Sequence, residues 1–415
     1  VRDCLDTLLY LLTSKALLQP RLLRAFCTAL WNWPVLSRVI PAVSRRTAVA
    51  AAFDRQTEFS NIAHAPNLVA GPFLIGMEIG PQHTGDRAFV TAHIADPAPS
   101  STIAGASANE SRQRIDGLLN SGPKRFDLVN DYMVWVVWSA LGATFGPGAA
   151  AIVAPGNAGD ARSFFLQVRY VGAHLIIGGI APQSVQLRAQ QAALALNTRV
   201  DKAMSAIQTA WGTGTDPTTM RRNALGMLWV GHPATVQAGA LVIQELFGRR
   251  EIYRDLAGKA QKLGDTAWQD VAFREELMAH ILELLRFRPV FPAQPRYVMR
   301  DTVFESDSGL PVPIKGGASL AVFTIGAMFD SLAVENPESY IPDLGDTPRF
   351  KYSDDKYMLF GLGARSCVAK YVVPQILLNA ITGLLLLPDL DWANGYFSRM
   401  QYDGPIVTEM ELCFK

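Results

Sequence analysis

The feature that most constrains this chain is the segment Phe360-Gly-Leu-Gly-Ala-Arg-Ser-Cys-Val-Ala369, which reads Phe-x-x-Gly-x-Arg-x-Cys with a small residue two places on. The chain has 415 residues but only 20 Phe and 4 Cys, so composition alone does not produce that agreement. Gly363 permits a tight turn in which backbone N–H groups can converge on the sulfur of Cys367. The other cysteines, Cys4, Cys27 and Cys413, are scattered. They suit neither a disulfide scaffold nor a zinc cluster, and read as packing residues or surface thiols in a reducing, cytoplasmic compartment.

Around that loop, apolar residues recur at helical spacing. Leu5, Leu8, Leu9 and Leu12 share one face, and Leu22 to Leu30 form a second run. Long helical patterns cover 180–212, 218–247, 266–288 and Ala369 to Leu387. The Pro/Ser/Ala/Gly-rich stretches 96–109 and 144–160 read as loops. From 289 to 325 the pattern turns to short β-type pieces, Arg296 to Phe304 and Leu320 to Thr324, and a β-like tail runs from Ile406 to Phe414. Pro337 to Lys356 is loop-rich. With no internal repeat and no linker, the expectation is one large domain over residues 1–415, mainly α with small β-sheets. The formal net charge of +1, with Lys and Arg spread along the chain, gives no footprint for nucleic acid. No stretch is long and apolar enough to span a membrane; 132–153 comes closest and is broken by Gly142, Gly146, Pro147 and Gly148. The first residue is Val1, so the native start is expected upstream, together with any further domain, signal or anchor.

Two spaced pairs add to the cysteine loop. Glu283-Leu-Leu-Arg286 puts an acid and a base on one helical face at i and i+3, about 80 residues before Cys367. His83-Thr-Gly-Asp-Arg87 does the same for two potential cations at i and i+4. Arg296 follows in the β-type text. Taken in order across residues 53–415, these elements resemble the cytochrome P-450 superfamily. That resemblance implies a single P-450 domain holding haem b (iron protoporphyrin IX), with Cys367 as the axial ligand of the iron. Phe360 would cover the thiolate, and Ala369, where the family usually has Gly, would let the following helix approach the porphyrin. His83, Arg87, Arg296 and Arg365 would hold the haem carboxylates. Glu283 and Arg286 would clamp the fold, with Arg349 as third partner. A thiolate ligand donates electron density to iron and favours O–O cleavage, but must be shielded from oxidation.

The resemblance fails at one place. Where the family carries Ala/Gly-Gly-x-Asp/Glu-Thr, this chain has Val230-Gly231-His232-Pro233-Ala234-Thr235. Gly231 keeps its place, while Pro233 and Ala234 replace the acid–alcohol pair that helps deliver protons during oxygen activation. His232 titrates in the right range to substitute, and shifting the alignment by one sets His232-Pro233 where peroxide-using fatty-acid hydroxylases have Arg-Pro. Thr235 offers a hydroxyl one position late. The leading expectation is oxygen insertion into a hydrophobic small molecule, as a monooxygenase fed by a ferredoxin or reductase or as a peroxygenase using hydrogen peroxide. A hydroperoxide isomerase or dehydratase and a non-catalytic haem protein that binds a small ligand remain open. Pocket walls are expected in 61–79, on the Leu225 to Thr235 face, at Phe291, Pro292 and Ala293, and near Ile406 and Val407.

Overall fold

A computed structural model describes residues 19–33, 40–61, 71–120, 124–177, 182–307, 309–344, 357–395 and 400–415. Helices dominate and the sheets are small. The first leucine run and Arg349 lie outside the described residues. The second run is the helix Pro20–Asn32, which turns Leu23, Cys27 and Leu30 inward and leaves Leu22 exposed.

The stretch 96–109 is not a loop. It opens the helix Pro97–Asn120. Proline is at home in a first turn, where its missing N–H would have no intrahelical partner. The small residues that suggested a loop serve instead for close packing. Ile103, Ser107, Ser111 and Ile115 form a buried stripe of period four, against the helices Val134–Phe145 and Val373–Leu386. The stretch 144–160 is likewise interrupted by a short helix, Pro147–Val153, and ends inside the helix Ala158–Ile177. Patterns at 180–212 and 266–288 correspond to Gln183–Trp211 and Val271–Phe287.

The helical pattern after Cys367 begins later than its sequence suggests, at Val373–Leu386, because turns occupy residues 368–372. That helix is apolar on nearly every face, with Ile376, Leu377, Ile381, Leu384 and Leu385 buried, as expected for a helix through the middle of a large core.

One sheet of four strands runs in the order Ala42–Val43, Ser319–Val322, Gln294–Val298, Phe59–Ser60. Arg296 pairs with Leu320 at its centre. The C-terminal tail splits into Ile406–Glu409, hairpinned with Gln401–Asp403, and Glu411–Cys413, which lies between Arg125–Asp127 and Asp391–Trp392. One apolar core fills the helical part, and a second joins the four-stranded sheet to the helices Pro20–Asn32 and Arg46–Asp54. No helix among the described residues is long and apolar enough to cross a membrane.

Candidate functional site

The cysteine loop is built by two glycines in the left-handed region, Gly361 (φ 70°) and Gly363 (φ 61°). The Ser366 N–H donates to the Gly363 carbonyl at 3.0 Å and the Cys367 N–H to the Phe360 carbonyl at 2.7 Å, which fixes where the sulfur points. The thiol lines a cavity in the protein. Burial pushes its pKa up, opposed by the Ala369 N–H and by the positive charges of Arg87 and Lys370. Phe360 and Ala369 line the same cavity, whereas Gly363 is exposed and shapes the loop from outside it.

The cavity has about 1430 Å³ of empty space, its open mouth included, and its walls are mostly apolar. Four basic side chains from separate parts of the chain line it: His83 and Arg87 from the helix Pro81–Ile94, Arg296 from its strand, and Arg365 from the cysteine loop. Arg87 donates to the Ser366 carbonyl at 2.7 Å and to Ser366 Oγ at 3.2 Å. Arg365 Nη1 donates to the Met77 carbonyl at 2.7 Å, but its Nε and Nη2 are buried without a hydrogen-bond partner. Its nearest carboxylate, Glu78, stands 3.7 Å away. Arg296, only 3% exposed, is pulled down to about 9, chiefly by burial and further by the charge of Arg365. His83 is lowered by burial and by Arg365 and Arg87. No Asp or Glu lines the cavity among the described residues. Crowded, desolvated cations with orphaned donors require an anion. A group carrying carboxylates on an apolar body, with a metal for the sulfur, fits this donor set.

The long pattern 218–247 is a helix in three parts: Pro217–Gly226, a wide π-helical turn Met227–Gly231, and His232–Phe247. Pro233 cannot donate to the Trp229 carbonyl, and the ladder widens just before it. Val230, Gly231, Ala234, Thr235 and Ala238 line the cavity. His232 and Pro233 do not, which corrects their placement among the cavity groups. Gly172 packs on their side: a Cβ there would lie 2.9 Å from both Pro233 Cγ and the Trp229 carbonyl oxygen. The freed carbonyl therefore meets the helix Ala158–Ile177, not the cavity.

His232 is fully buried beside the rings of Phe164 and Phe165, with Nε2 3.1 Å from the Val134 carbonyl. A carbonyl only accepts, so Nε2 carries the proton and Nδ1 is left bare and without a partner. Burial drives its pKa down to about 4, the bond to Val134 opposing. The unfolded chain takes up this proton near the ordinary 6.5 while the folded one resists until about 4. Stability from this site is thus full above about 6.5 and falls with pH, by about 2–3 kcal/mol at pH 4.5. Urea midpoints at pH 7 and 4.5 should show that much less acid loss in His232→Gln, whose amide can still donate to Val134. Equal losses in the two proteins would contradict the neutral, buried assignment.

Glu283 and Arg286, both fully buried, form a two-point pair at 2.8 Å each. Of the expected pocket walls, Asn61, Phe73, Leu74, Ile75, Phe291 and Ala293 line the cavity. Pro292 and Ile406 line a small adjoining crevice, while Leu225 and Val407 are in the core and 62–70 lie outside the described residues. Sequence reasoning missed the pair Asp86–Arg222, bonded at 2.8 Å twice and almost fully buried. It ties the helix bearing His83 and Arg87 to the start of the Pro233 helix, across 136 residues that leave no local signal.

A mainly helical body with small sheets and a cysteine facing an apolar, cation-rimmed cavity defines a P-450 fold. Solved structures agree over nearly the whole chain. CYP109E1 from Bacillus megaterium in complex with corticosterone matches at 17% identity and TM-score 0.65, over 90% of this chain and 92% of that one. Cytochrome P-450 260B1 of Sorangium cellulosum So Ce56 gives 16% and 0.67, over 90% of each chain. A mutant of P-450 EryK, an S. erythraea protein, with erythromycin B gives 16% and 0.68, over 94% and 97%. The family model for cytochrome P-450 matches residues 196–372. No curated protein matches. The chain is thus similar to the cytochrome P-450 family over residues 196–372 by sequence, and it shares the fold of cytochromes P-450 over nearly its whole length.

Proposed function

We propose that this chain is one haem-binding domain that inserts oxygen into a hydrophobic small molecule, with Cys367 as the residue that would supply the thiolate to the iron of haem b. The observation that carries this reading is the meeting of the Cys367 thiol, four basic side chains and an apolar wall in one cavity. When bound, haem supplies an iron centre whose thiolate ligand favours O–O cleavage. The protein supplies the rest. Arg296, Arg365, Arg87 and His83 would hold the carboxylates, with the two orphaned N–H groups of Arg365 the readiest donors. The Ala369 N–H reaches the sulfur, and Phe360, on the same cavity wall, would shield it. Gly231 and Ala234 leave room on the facing wall, and Thr235 sets its hydroxyl-bearing side chain there.

Walls lined mainly by Phe, Leu, Val and Ala exclude water and favour an oily ligand. Neighbours in the fold are known with corticosterone, testosterone and erythromycin B, which supports a bulky, largely apolar substrate. That no Asp or Glu stands among the described residues lining the cavity favours hydrogen peroxide over a ferredoxin or reductase as the source of oxidising equivalents. The same observation supports the second reading, a hydroperoxide isomerase or dehydratase, which needs no external electrons. Incubation with an apolar compound separates them: oxygenated product supports insertion, whereas consumption of a fatty-acid hydroperoxide without it supports the second reading.

Replacing Arg296 or Arg365 with Leu should weaken haem retention, seen as a lower haem-to-protein ratio after gel filtration, while the far-ultraviolet circular dichroism of the apoprotein is kept. Unchanged haem content in both variants would remove these residues from the site.

A further inference from the structure

Gly226 ends the helix Pro217–Gly226, where the wide turn Met227–Gly231 begins. Its backbone is ordinary right-handed helix, φ −61° and ψ −40°, which any residue adopts. Glycine is less favourable there than alanine, so the backbone gives no reason for it. The reason lies in what packs on it. A Cβ at position 226 would fall on the ring of Phe73, overlapping Cγ, Cδ2 and Cε2. Phe73 opens the short turn Leu74–Gly76 and, with Leu74 and Ile75, lines the main cavity; Gly226 is buried and not on the cavity wall. The Gly76 N–H donates to the Phe73 carbonyl at 2.8 Å, and the Met77 carbonyl accepts from Arg365 at 2.7 Å. The backbone that carries the ring is therefore tied to the cysteine loop. The ring has the cavity on one side and the missing side chain of Gly226 on the other.

We propose that Phe73 and Gly226 are a specificity-determining pair: the ring is seated in the notch left by the missing Cβ, and that seat keeps the cavity wide enough for a bulky, rigid apolar substrate. The inference rests on the oxygenase reading for the word substrate; the selection by size requires only the cavity. Because the backbone beside Phe73 is held, a methyl group at position 226 moves the ring rather than the chain. The free space next to this buried ring is the cavity it lines, so the displaced ring takes volume from the ligand. Gly231, Ala234 and Ala238 continue the wall along the facing helix with side chains too small to move aside. The Phe73 ring is the adjustable part of that wall, and a residue outside the cavity sets its position.

The test uses two rigid cage alcohols of the same chemistry and different bulk, 1-adamantanol and 1-diamantanol. Dissociation constants come from equilibrium dialysis against the haem-loaded protein, which does not depend on turnover. Gly226→Ala should lower the affinity for the larger alcohol relative to the smaller by about tenfold or more, the scale of overpacking by one methyl group. In a Phe73→Ala background the same substitution should change that ratio by less than about threefold, because the ring it displaces is gone. Phe73→Ala alone should raise the ratio, and it decides the matter if Gly226→Ala does not fold. An equal loss for both alcohols, a loss that persists without the ring, a ratio unchanged in Phe73→Ala, or no binding of either alcohol would overturn the assignment. Oxygenated product from an apolar compound tests the oxygenase reading separately: its absence with the size dependence intact would sink that reading and leave the pair standing.

Discussion

Glu283→Ala is expected to destabilise the protein by roughly 3–5 kcal/mol, a large part of the ~5–15 kcal/mol that holds most domains folded. Both carboxylate oxygens accept from Arg286, and Oε1 also accepts the Ile341 N–H at 3.0 Å. Arg286 in turn donates to the carbonyls of Met328 (3.2 Å), Pro337 (2.9 Å) and Ser339 (3.2 Å), and stacks on Phe329 and Phe287. Removing the acid strands a guanidinium that has no exposure to water. An isolated buried pair can often be exchanged for two apolar residues at little loss. This pair is not isolated, because the exchange would also remove the donor to the carbonyl of the buried Met328 and to two loop carbonyls. The double variant Glu283→Leu/Arg286→Met should therefore stay well below the unmodified protein in a urea titration. A double variant with the original midpoint would show that the pair is dispensable to the fold.

Turnover with hydrogen peroxide should exceed turnover with a reductase and NADPH by about a hundredfold or more, the lower end of what a general acid contributes. Peroxide brings two electrons and two protons with it, so a missing relay matters less. Among the described residues the cavity wall carries no carboxylate, and Ala234 stands where the family sets its alcohol. Ala234→Thr should narrow the gap by adding a hydroxyl to that wall. Pro233→Asp should not, because position 233 packs against Gly172 and the new carboxylate would be buried there. Product per haem with one substrate under both regimes decides it, and tight coupling of NADPH to product in the unmodified protein would contradict the idea.

What the sequence made legible was the part whose chemistry demands fixed residue types at fixed spacing. The turn at Gly363, the thiol at Cys367 and the pair Glu283–Arg286 are local, so their geometry follows from a few neighbouring residues. Arg296 was recoverable because it follows the Glu283–Arg286 helix into β-type text. The facing wall was harder. A spacing of one residue decides whether His232 meets the cavity or Val134, and the π-helical turn before Pro233 shifts that register in a way no periodicity reports. Pro97–Asn120 was misread because proline, serine and alanine suit both a loop and the first turns of a closely packed helix. Asp86 and Arg222 lie far apart along the chain, and only the folded structure brings them together.

The central claim is that Cys367 is the thiolate ligand of a haem. Its most direct test is the visible spectrum of the reduced protein under carbon monoxide, for the unmodified chain and for Cys367→His and Cys367→Ala. The unmodified protein should absorb near the wavelength from which the P-450 family takes its name; Cys367→His should lose that band or shift it to a histidine-ligated form, and Cys367→Ala should lose it. A thiolate band that persists in Cys367→Ala would contradict the assignment.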